Sequence, residues 1–319
     1  MIHENGTSAL QRTAAANKWT YLRKNVVKSK YLLLLLLPGT AYLIIFQYIP
    51  MYGVIIAFKD FSPGFGIMGS EWVGFRWFGE FFHSVYAYRL LRNTILISLY
   101  SLLWGFPIPI IFALLLNEIR NGFFKRAVQT VSYFPHFIST VIIAGLIVNF
   151  LSPTDGLFGL LFKSITGEST SLLTEPAWFR TIYIASGIWQ GFGWSSIIYL
   201  AALSAIDPQL FDAAKIDGAG RWKQMLHITL PGIMPTMVIL LILNMGSLLS
   251  VGAEKIILLY SPAIYETSDV ISTYVYRRGL LGADYSFGAA VGLFNSVANF
   301  LLLIIVNAVS KKVNQTSLW

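Results

Sequence analysis

Long stretches without charge dominate the hydrophobic pattern of this chain. Six windows of at least 25 residues contain no Asp, Glu, Lys or Arg: 31–58, 93–117, 127–154, 181–206, 227–253 and 285–310. A helix needs about 20 apolar residues to cross the hydrocarbon layer. Strands of a membrane barrel would place a polar residue at every second position, whereas these windows hold unbroken apolar runs such as 32–37. The pattern therefore predicts an all-α, polytopic membrane protein with six transmembrane helices.

The composition supports this prediction and excludes disulfides and several kinds of metal site. Hydrophobic residues make up 55% of the 319 residues and charged residues only 12%, against about 25% charged in a soluble domain. Cysteine is absent, which excludes disulfides and thiolate metal sites. The four histidines are scattered without metal-ligand spacing. We predict no metal site.

The remaining charges predict the orientation in the membrane. Segments 1–30, 118–126, 207–226 and 311–319 together carry 14 Lys and Arg against 5 Asp and Glu, while the rest of the chain carries 9 and 10. Basic loops lie on the cytoplasmic side. We therefore expect both termini in the cytoplasm, with tails at 1–30 and 311–319 around a six-span domain at 31–310 that contains a cytoplasmic loop at 207–231.

The basic N-terminal segment has two further interpretations. A cleaved signal peptide is disfavoured, because 30 residues precede the first window and its apolar stretch exceeds the length of about 7–15 residues typical of a signal. The lysines and arginines at 23–30 adjoin a span, where anionic lipid is a nearer partner than nucleic acid. We expect an uncleaved first span and no nucleic-acid binding.

The loop at 207–231 has the signals of a short, capped helix. Asp207 is a good N-cap and Pro208 suits the first helical position. Gly218 suits the left-handed residue that ends a helix. A second short helix is expected from about Gly220, with Pro231 opening the fifth span.

The same loop resembles a known motif. Asp212-Ala213-Ala214, then Gly218-Ala219 after three residues, then Ile228-x-Leu230-Pro231 after nine residues beyond Gly218, resembles the EAA loop of permease subunits of binding-protein-dependent ABC importers (E-A-A-x-x-x-G-x9-I-x-L-P). The chain departs from the pattern by Asp in place of Glu at 212, which keeps the charge. The predicted cytoplasmic side and the place before the second-last span also fit.

Shorter pieces extend the resemblance over roughly residues 30–310. They are similar to the subgroup of these permeases that imports complex oligosaccharides or polysaccharide fragments, and they lie at 70–74, 93–94, 117–118, 124–126, 134–139 and 152–156.

The resemblance implies a type I ABC importer permease fold in a bacterial plasma membrane. It implies as partners a second permease, expected to be a different chain, two cytoplasmic ATPase subunits, an external solute-binding protein and an oligosaccharide. ATP and Mg would lie on the ATPase subunits, with no cofactor on this chain. Coupling to the ATPases would involve seven residues, of which the last two would fix how the loop enters span five: Asp212, Ala213, Ala214, Gly218, Ala219, Leu230 and Pro231.

The residues themselves favour an external energy source. The sequence contains no G-x-x-x-x-G-K-[ST] phosphate-binding loop, so we expect a non-catalytic subunit whose ATP is hydrolysed elsewhere. Ion-coupled carriers commonly place ionisable side chains within the membrane, and the six windows contain no carboxylate, Lys or Arg. An ion-coupled secondary carrier remains the alternative, a transport-inactive membrane scaffold is a third reading, and a membrane enzyme is disfavoured.

Polar and aromatic residues within the windows are candidates for a substrate pathway, because sugars suit aromatic faces and amides. For His136, which follows Pro135 where freed backbone carbonyls need donors, we expect a structural hydrogen bond before a substrate contact. The seven candidates are His136, Asn149, Trp189, Gln190, Trp194, Tyr199 and Asn244.

Overall fold

The computed structural model describes residues 28–120, 122–167, 171–314 and 317–318. Within them four helices are long and apolar enough to cross a membrane: Lys30–Phe58 (span 1), Ala87–Glu118 (span 2), Arg221–Met245 (span 5) and Tyr285–Lys312 (span 6). Two bent pairs meet the same criterion together: Phe123–Phe137 with Thr140–Phe150 (span 3), and Pro176–Ser204 (span 4) with Pro208–Ile216. The predicted all-helical membrane fold with up to six spans is confirmed.

Short elements connect the spans. Lys59–Asp60 and Glu71–Trp72 form a two-stranded antiparallel ladder in which Lys59 lies opposite Trp72. The connecting helices are Gly66–Gly69, Arg76–His83, Leu157–Thr166, Ala253–Leu259, Pro262–Ile264, Tyr265–Ser268 and Ile271–Tyr274, and a π-helical segment follows at Val275–Leu281. The chain divides into two compact units, 1–55 and 56–319, and the contacts described below lie within the second.

Several span boundaries differ from the charge-free windows. The window at 227–253 is longer than its helix, which ends at Met245. Glycine and serine occupy 246, 247, 250 and 252, and both are poorer helix formers than the leucines before them. At the other end of the chain, the last helix continues to Asn314 through Lys311 and Lys312, so the predicted tail at 311–319 begins inside a helix. The predicted tail at 1–30 lies almost wholly outside the described residues.

Two of the spans are broken next to prolines. Span 2 consists of Ala87–Gly105 and Pro107–Glu118, which meet at Phe106. Span 3 turns by 100° between Phe137 and Thr140, just after Pro135. Proline has no backbone N–H to donate to a carbonyl of the preceding helical turn. One helical hydrogen bond is therefore already missing, and the helix can change direction there with little further loss of stability.

Span 2 runs along three hydrophobic clusters. The first joins Leu90 to Trp77, Phe81 and the start of span 6 at Phe287. The second joins Ile97 to spans 3 and 4 and to the 251–270 segment. The third joins Ile110 and Ala113 to spans 4 and 5 through Tyr199 and Ile233. Spans 2, 4 and 5 and the 251–270 segment are therefore held around a common interior.

A buried ionic cluster fixes the 266–277 segment to span 2. Asp269 is fully buried and its carboxylate accepts two hydrogen bonds from Arg277, at 2.9 and 2.7 Å, and one from Arg89 at 3.2 Å. The buried amide of Asn93 donates to the backbone carbonyls of Glu266 and Asp269, at 2.9 Å each. Because the Arg89 and Asn93 contacts join span 2 to residues more than 170 positions away, the cluster sets where this segment lies.

Gly193 allows spans 3 and 4 to touch backbone to backbone. A Cβ at Gly193 would overlap the carbonyl group of Ser132, whereas a Cβ at Gly191 would meet nothing within 4 Å. We expect Gly193→Ala to destabilise the protein by about 1–3 kcal/mol, because rigid backbone must move. Gly191→Ala should be neutral or slightly stabilising. Melting temperatures of the two purified variants in detergent measure the difference, and equal values would contradict this packing.

Candidate functional site

The helix Pro208–Ile216, here called the capped helix, is closed at both ends by the predicted residues. The Asp207 carboxylate accepts a hydrogen bond from the Gln209 N–H at 2.9 Å. At the other end Gly218 has φ = 75°. The Ala219 N–H donates to Ala214 O at 2.9 Å and the Gly218 N–H to Lys215 O at 3.1 Å, which is the Schellman arrangement.

The surface around the capped helix is apolar and exposed. Ile216 is 87% exposed and Trp222 75% exposed, and Leu210 is also exposed. Three large exposed apolar side chains within so short a stretch of the chain make this loop a candidate protein-binding surface. We call Leu210, Ile216 and Trp222 the apolar triad. Ala213 is exposed and Ala214 half-buried, so neither hinders a close approach.

Asp212 already has a partner within the chain. Lys215 Nζ lies 2.9 Å from its carboxylate, one helical turn away, and both side chains are mostly exposed. An exposed pair of this kind contributes little stability. The Asp212 carboxylate therefore remains accessible to a partner protein that offers a stronger donor.

The capped helix is connected to span 5 by the short turn at 217–220. The predicted second short helix does not end before Pro231: one helix begins at Arg221 and continues to Met245, through a wide π turn at Met225–Thr229. Pro231, which has no N–H to donate, is accommodated directly after this turn. The Gln224 amide donates to Ala219 O at 2.7 Å. This hydrogen bond ties the turn after the capped helix to the first turn of span 5.

A cavity of about 770 Å³ lies between spans 2, 4 and 5 and the 247–255 segment. Hydroxyl groups line it from three sides, at Ser98, Ser195 and Ser247. Aromatic rings and amides complete the polar part of the wall, with Tyr183, Phe192, Trp194, Gln190 and Asn244. Amides, hydroxyls and aromatic faces together suit a ligand that is polar at its edges and apolar on its faces.

The structure brings together four of the seven predicted pathway residues. Gln190, Trp194, Tyr199 and Asn244 line the cavity. Tyr199 is also buried in the cluster around Ile110. Asn149 and Trp189 are exposed on spans 3 and 4 and do not line the cavity.

His136 reaches the cavity wall indirectly. Its ring stacks on Trp194, with ring centroids 4.6 Å apart and planes 3° apart, but His136 does not line the cavity. The hydrogen-bonding role expected for it at the span 3 break belongs to Gln190, whose amide donates to Ile138 O at 3.1 Å. Gln190 is a better donor for this carbonyl because its amide extends from the facing span 4.

Lys255 is a charged residue in the cavity wall, and the sequence pattern did not indicate it. It lies just after the fifth charge-free window, which ends at 253, and the pattern therefore places it among the charges between spans. The helix Ala253–Leu259 turns it inward, where it is 9% exposed and lines the cavity. The signal available in the sequence was its position one residue after an exposed Glu254 and just before the apolar run 256–259.

The chain matches the family model described as "Binding-protein-dependent transport system inner membrane component" over residues 105–315. It is 44% identical to protein LplB of Bacillus subtilis (strain 168) over 292 residues, which cover 92% of each chain. It is also 44% identical to the polygalacturonan/rhamnogalacturonan transport system permease protein YteP of the same organism over 294 residues, again 92% of each chain.

A solved structure has the same fold. This is a chain in the crystal structure of a bacterial alginate ABC transporter in complex with an alginate pentasaccharide-bound periplasmic protein. The TM-score is 0.84 at 44% identity, and the match covers 92% of the present chain and 99% of the other.

Proposed function

The chain belongs to the family of binding-protein-dependent transport system inner membrane components, and from this we propose that it forms, with a second and different permease, the membrane pathway of an oligosaccharide importer. An external solute-binding protein delivers the sugar. Separate cytoplasmic ATPase subunits bind ATP and Mg and drive the cycle. The chain itself performs no chemical step.

The capped helix and its apolar triad support the proposed coupling to the ATPases. Its small alanines permit close approach, the triad supplies apolar area for docking, and the unbroken helix from Arg221 transmits movement to span 5. Asp212, Ala213, Ala214, Gly218 and Ala219 form the contact, while Leu230 and Pro231 lie within span 5 and fix its entry into the membrane. The coupling role rests on one observation, that an exposed capped helix directly precedes the continuous helix of span 5.

The cavity supports an oligosaccharide as the cargo. Its wall of hydroxyls, amides and aromatic rings can replace the hydration of sugar hydroxyls and stack on pyranose faces. The similar proteins are named for transport of polygalacturonan or rhamnogalacturonan and of alginate, all of them polysaccharides. Trp194, Gln190, Tyr199 and Asn244 are the proposed wall of the pathway, with His136 supporting the Trp194 ring from behind. Asn149 and Trp189 do not take part.

Replacing two members of the apolar triad should separate the ATPase subunits from the permease. We expect the double variant Ile216→Ser, Trp222→Ser to retain at least tenfold less ATPase subunit, because burial of each large apolar side chain contributes roughly 1.5–3 kcal/mol. The measurement is co-purification of the complete transporter in mild detergent, quantified per permease chain, followed by sugar uptake in vesicles.

A matched control is available outside the cytoplasmic loops. Val85 is 88% exposed, almost the same fraction as Ile216, so Val85→Ser tests the loss of an exposed apolar side chain elsewhere. It should leave the amount of bound ATPase unchanged. Undiminished co-purification with the double variant would contradict the docking role. Uptake driven by an ion gradient in the absence of any ATPase would favour the ion-coupled alternative.

A further inference from the structure

Lys255 provides the cavity with a charge that nothing else in its wall balances. It is the one formally charged side chain among the residues that line the cavity. In the part of the chain that the structure describes, no carboxylate lies within the 4.0 Å ion-pair distance of its Nζ. The Glu254 carboxylate next to it in sequence is on an exposed side chain.

The hydrogen bonding of Lys255 is incomplete. The ammonium group donates to Tyr183 O at 3.3 Å and lies over the Tyr183 ring, 5.3 Å from its centroid. An ammonium group has three donors, and the described residues provide this one acceptor. Burial lowers the pKa of Lys255 to about 8, so most of the amines still carry a proton at neutral pH.

A buried charge without a counter-ion is costly, and a hydrophobic residue of similar size is usually at least as stable. The tie to one carbonyl of span 4 does not require a lysine, because a neutral donor would make the same hydrogen bond. The hydrogen bond therefore does not explain why a positively charged residue is buried at this position. An anionic ligand in the cavity would explain it, since the Lys255 ammonium group attracts an anion strongly in surroundings of low polarity.

We propose that Lys255 is a specificity-determining residue, which selects sugar acids over neutral sugars by holding a carboxylate of the oligosaccharide as it crosses the cavity. This role rests on the proposed function as an oligosaccharide permease. A lysine suits transit better than tight storage, because its ammonium group is a compact point charge and does not hold a carboxylate in a fixed bidentate geometry. The Ser250 and Asn244 side chains lie in the same wall and can bind the hydroxyls beside the carboxylate.

The test compares three variants in the complete transporter, reconstituted with its partner permease, ATPases and binding protein. The substrates are uronic-acid trisaccharides, each paired with its form in which the carboxylates are reduced to alcohols. We expect Lys255→Met to lower uptake of the acids about tenfold or more, as loss of a hydrogen bond between two charged groups does. Uptake of the neutral forms should stay the same or rise. Lys255→Arg should keep the preference for acids.

Lys163→Met is the matched control, because Lys163 is an exposed lysine on Leu157–Thr166 and its variant loses the same charge outside the cavity. The binding protein is identical in all arms, so its own preference cancels when variants are compared. Equal loss of acidic and neutral uptake in Lys255→Met would show a structural role and overturn the assignment, as would unchanged uptake of the acids. Failure of the unmodified transporter to import any of the trisaccharides would instead overturn the proposed function.

Discussion

Replacing Gly218 with valine is expected to abolish sugar uptake while the protein still inserts into the membrane normally. Gly218 has φ = 75°, a conformation that costs a residue with a Cβ roughly 1–2 kcal/mol and a β-branched residue more. The left-handed turn also positions Ala219, whose N–H closes the capped helix and whose carbonyl accepts from Gln224. With valine the last turn unwinds, and movement of the helix is no longer passed to span 5.

Gly220 provides the matched control two residues later. It has φ = −68° and ψ = 167°, an extended conformation that β-branched residues adopt readily, and a Cβ there meets nothing within 4 Å. Gly220→Val should therefore keep most of the uptake. Uptake in vesicles and membrane content by immunoblot measure both variants. Normal uptake by Gly218→Val would contradict the assignment of this loop as the coupling element.

The capped helix could be predicted because its determinants are local. Asp207, Pro208 and Gly218 lie within 12 residues, and each acts on backbone groups no more than five positions away. Local rules of this kind operate whatever the rest of the chain does. They failed only at Pro231, where a wide turn in the preceding residues keeps the helix continuous.

The cavity could be predicted only in part, because its wall comes from segments far apart in the sequence. Gln190, Trp194, Tyr199 and Asn244, which are candidates as polar or aromatic residues within spans, line it, and their contact with substrate stays a prediction. Asn149 and Trp189 have the same residue character but lie on other faces of their helices, and no periodicity distinguished them. The pattern does not indicate Lys255, because a charge in the sequence predicts a loop outside the spans, whereas the short helix that carries it folds back into the interior.

The contacts of residues 93 and 94 could not be predicted from the sequence either. In the sequence they were one of several short pieces of resemblance. In the structure the Asn93 amide and the Thr94 hydroxyl contact backbone groups between Glu266 and Ile271, more than 170 positions away. A motif indicates that two residues matter, but their partner segment is known only when the fold is known.

The largest loss of stability is expected when Asp269 is replaced by alanine. Its carboxylate is the shared acceptor of Arg277 and Arg89, and it is fully buried. Removing one partner of a buried ionic cluster typically costs 3–5 kcal/mol, because the remaining charge stays desolvated. Both arginines are about a quarter to a third exposed and can recover some hydration, so we expect about 3 kcal/mol.

The control is an aspartate in an exposed pair. Asp60 lies 3.6 Å from Arg76, with both side chains about half exposed, so Asp60→Ala should cost no more than about 1 kcal/mol. Melting temperatures in detergent should fall steeply for Asp269→Ala and hardly at all for Asp60→Ala. Arg277→Met in the Asp269→Ala background should recover part of the loss, because it removes one of the two arginine charges that are left without the Asp269 carboxylate. If the single and double variants melted alike, the cost would come from lost packing around residue 269 and the ionic cluster would not be what fixes the 266–277 segment to span 2.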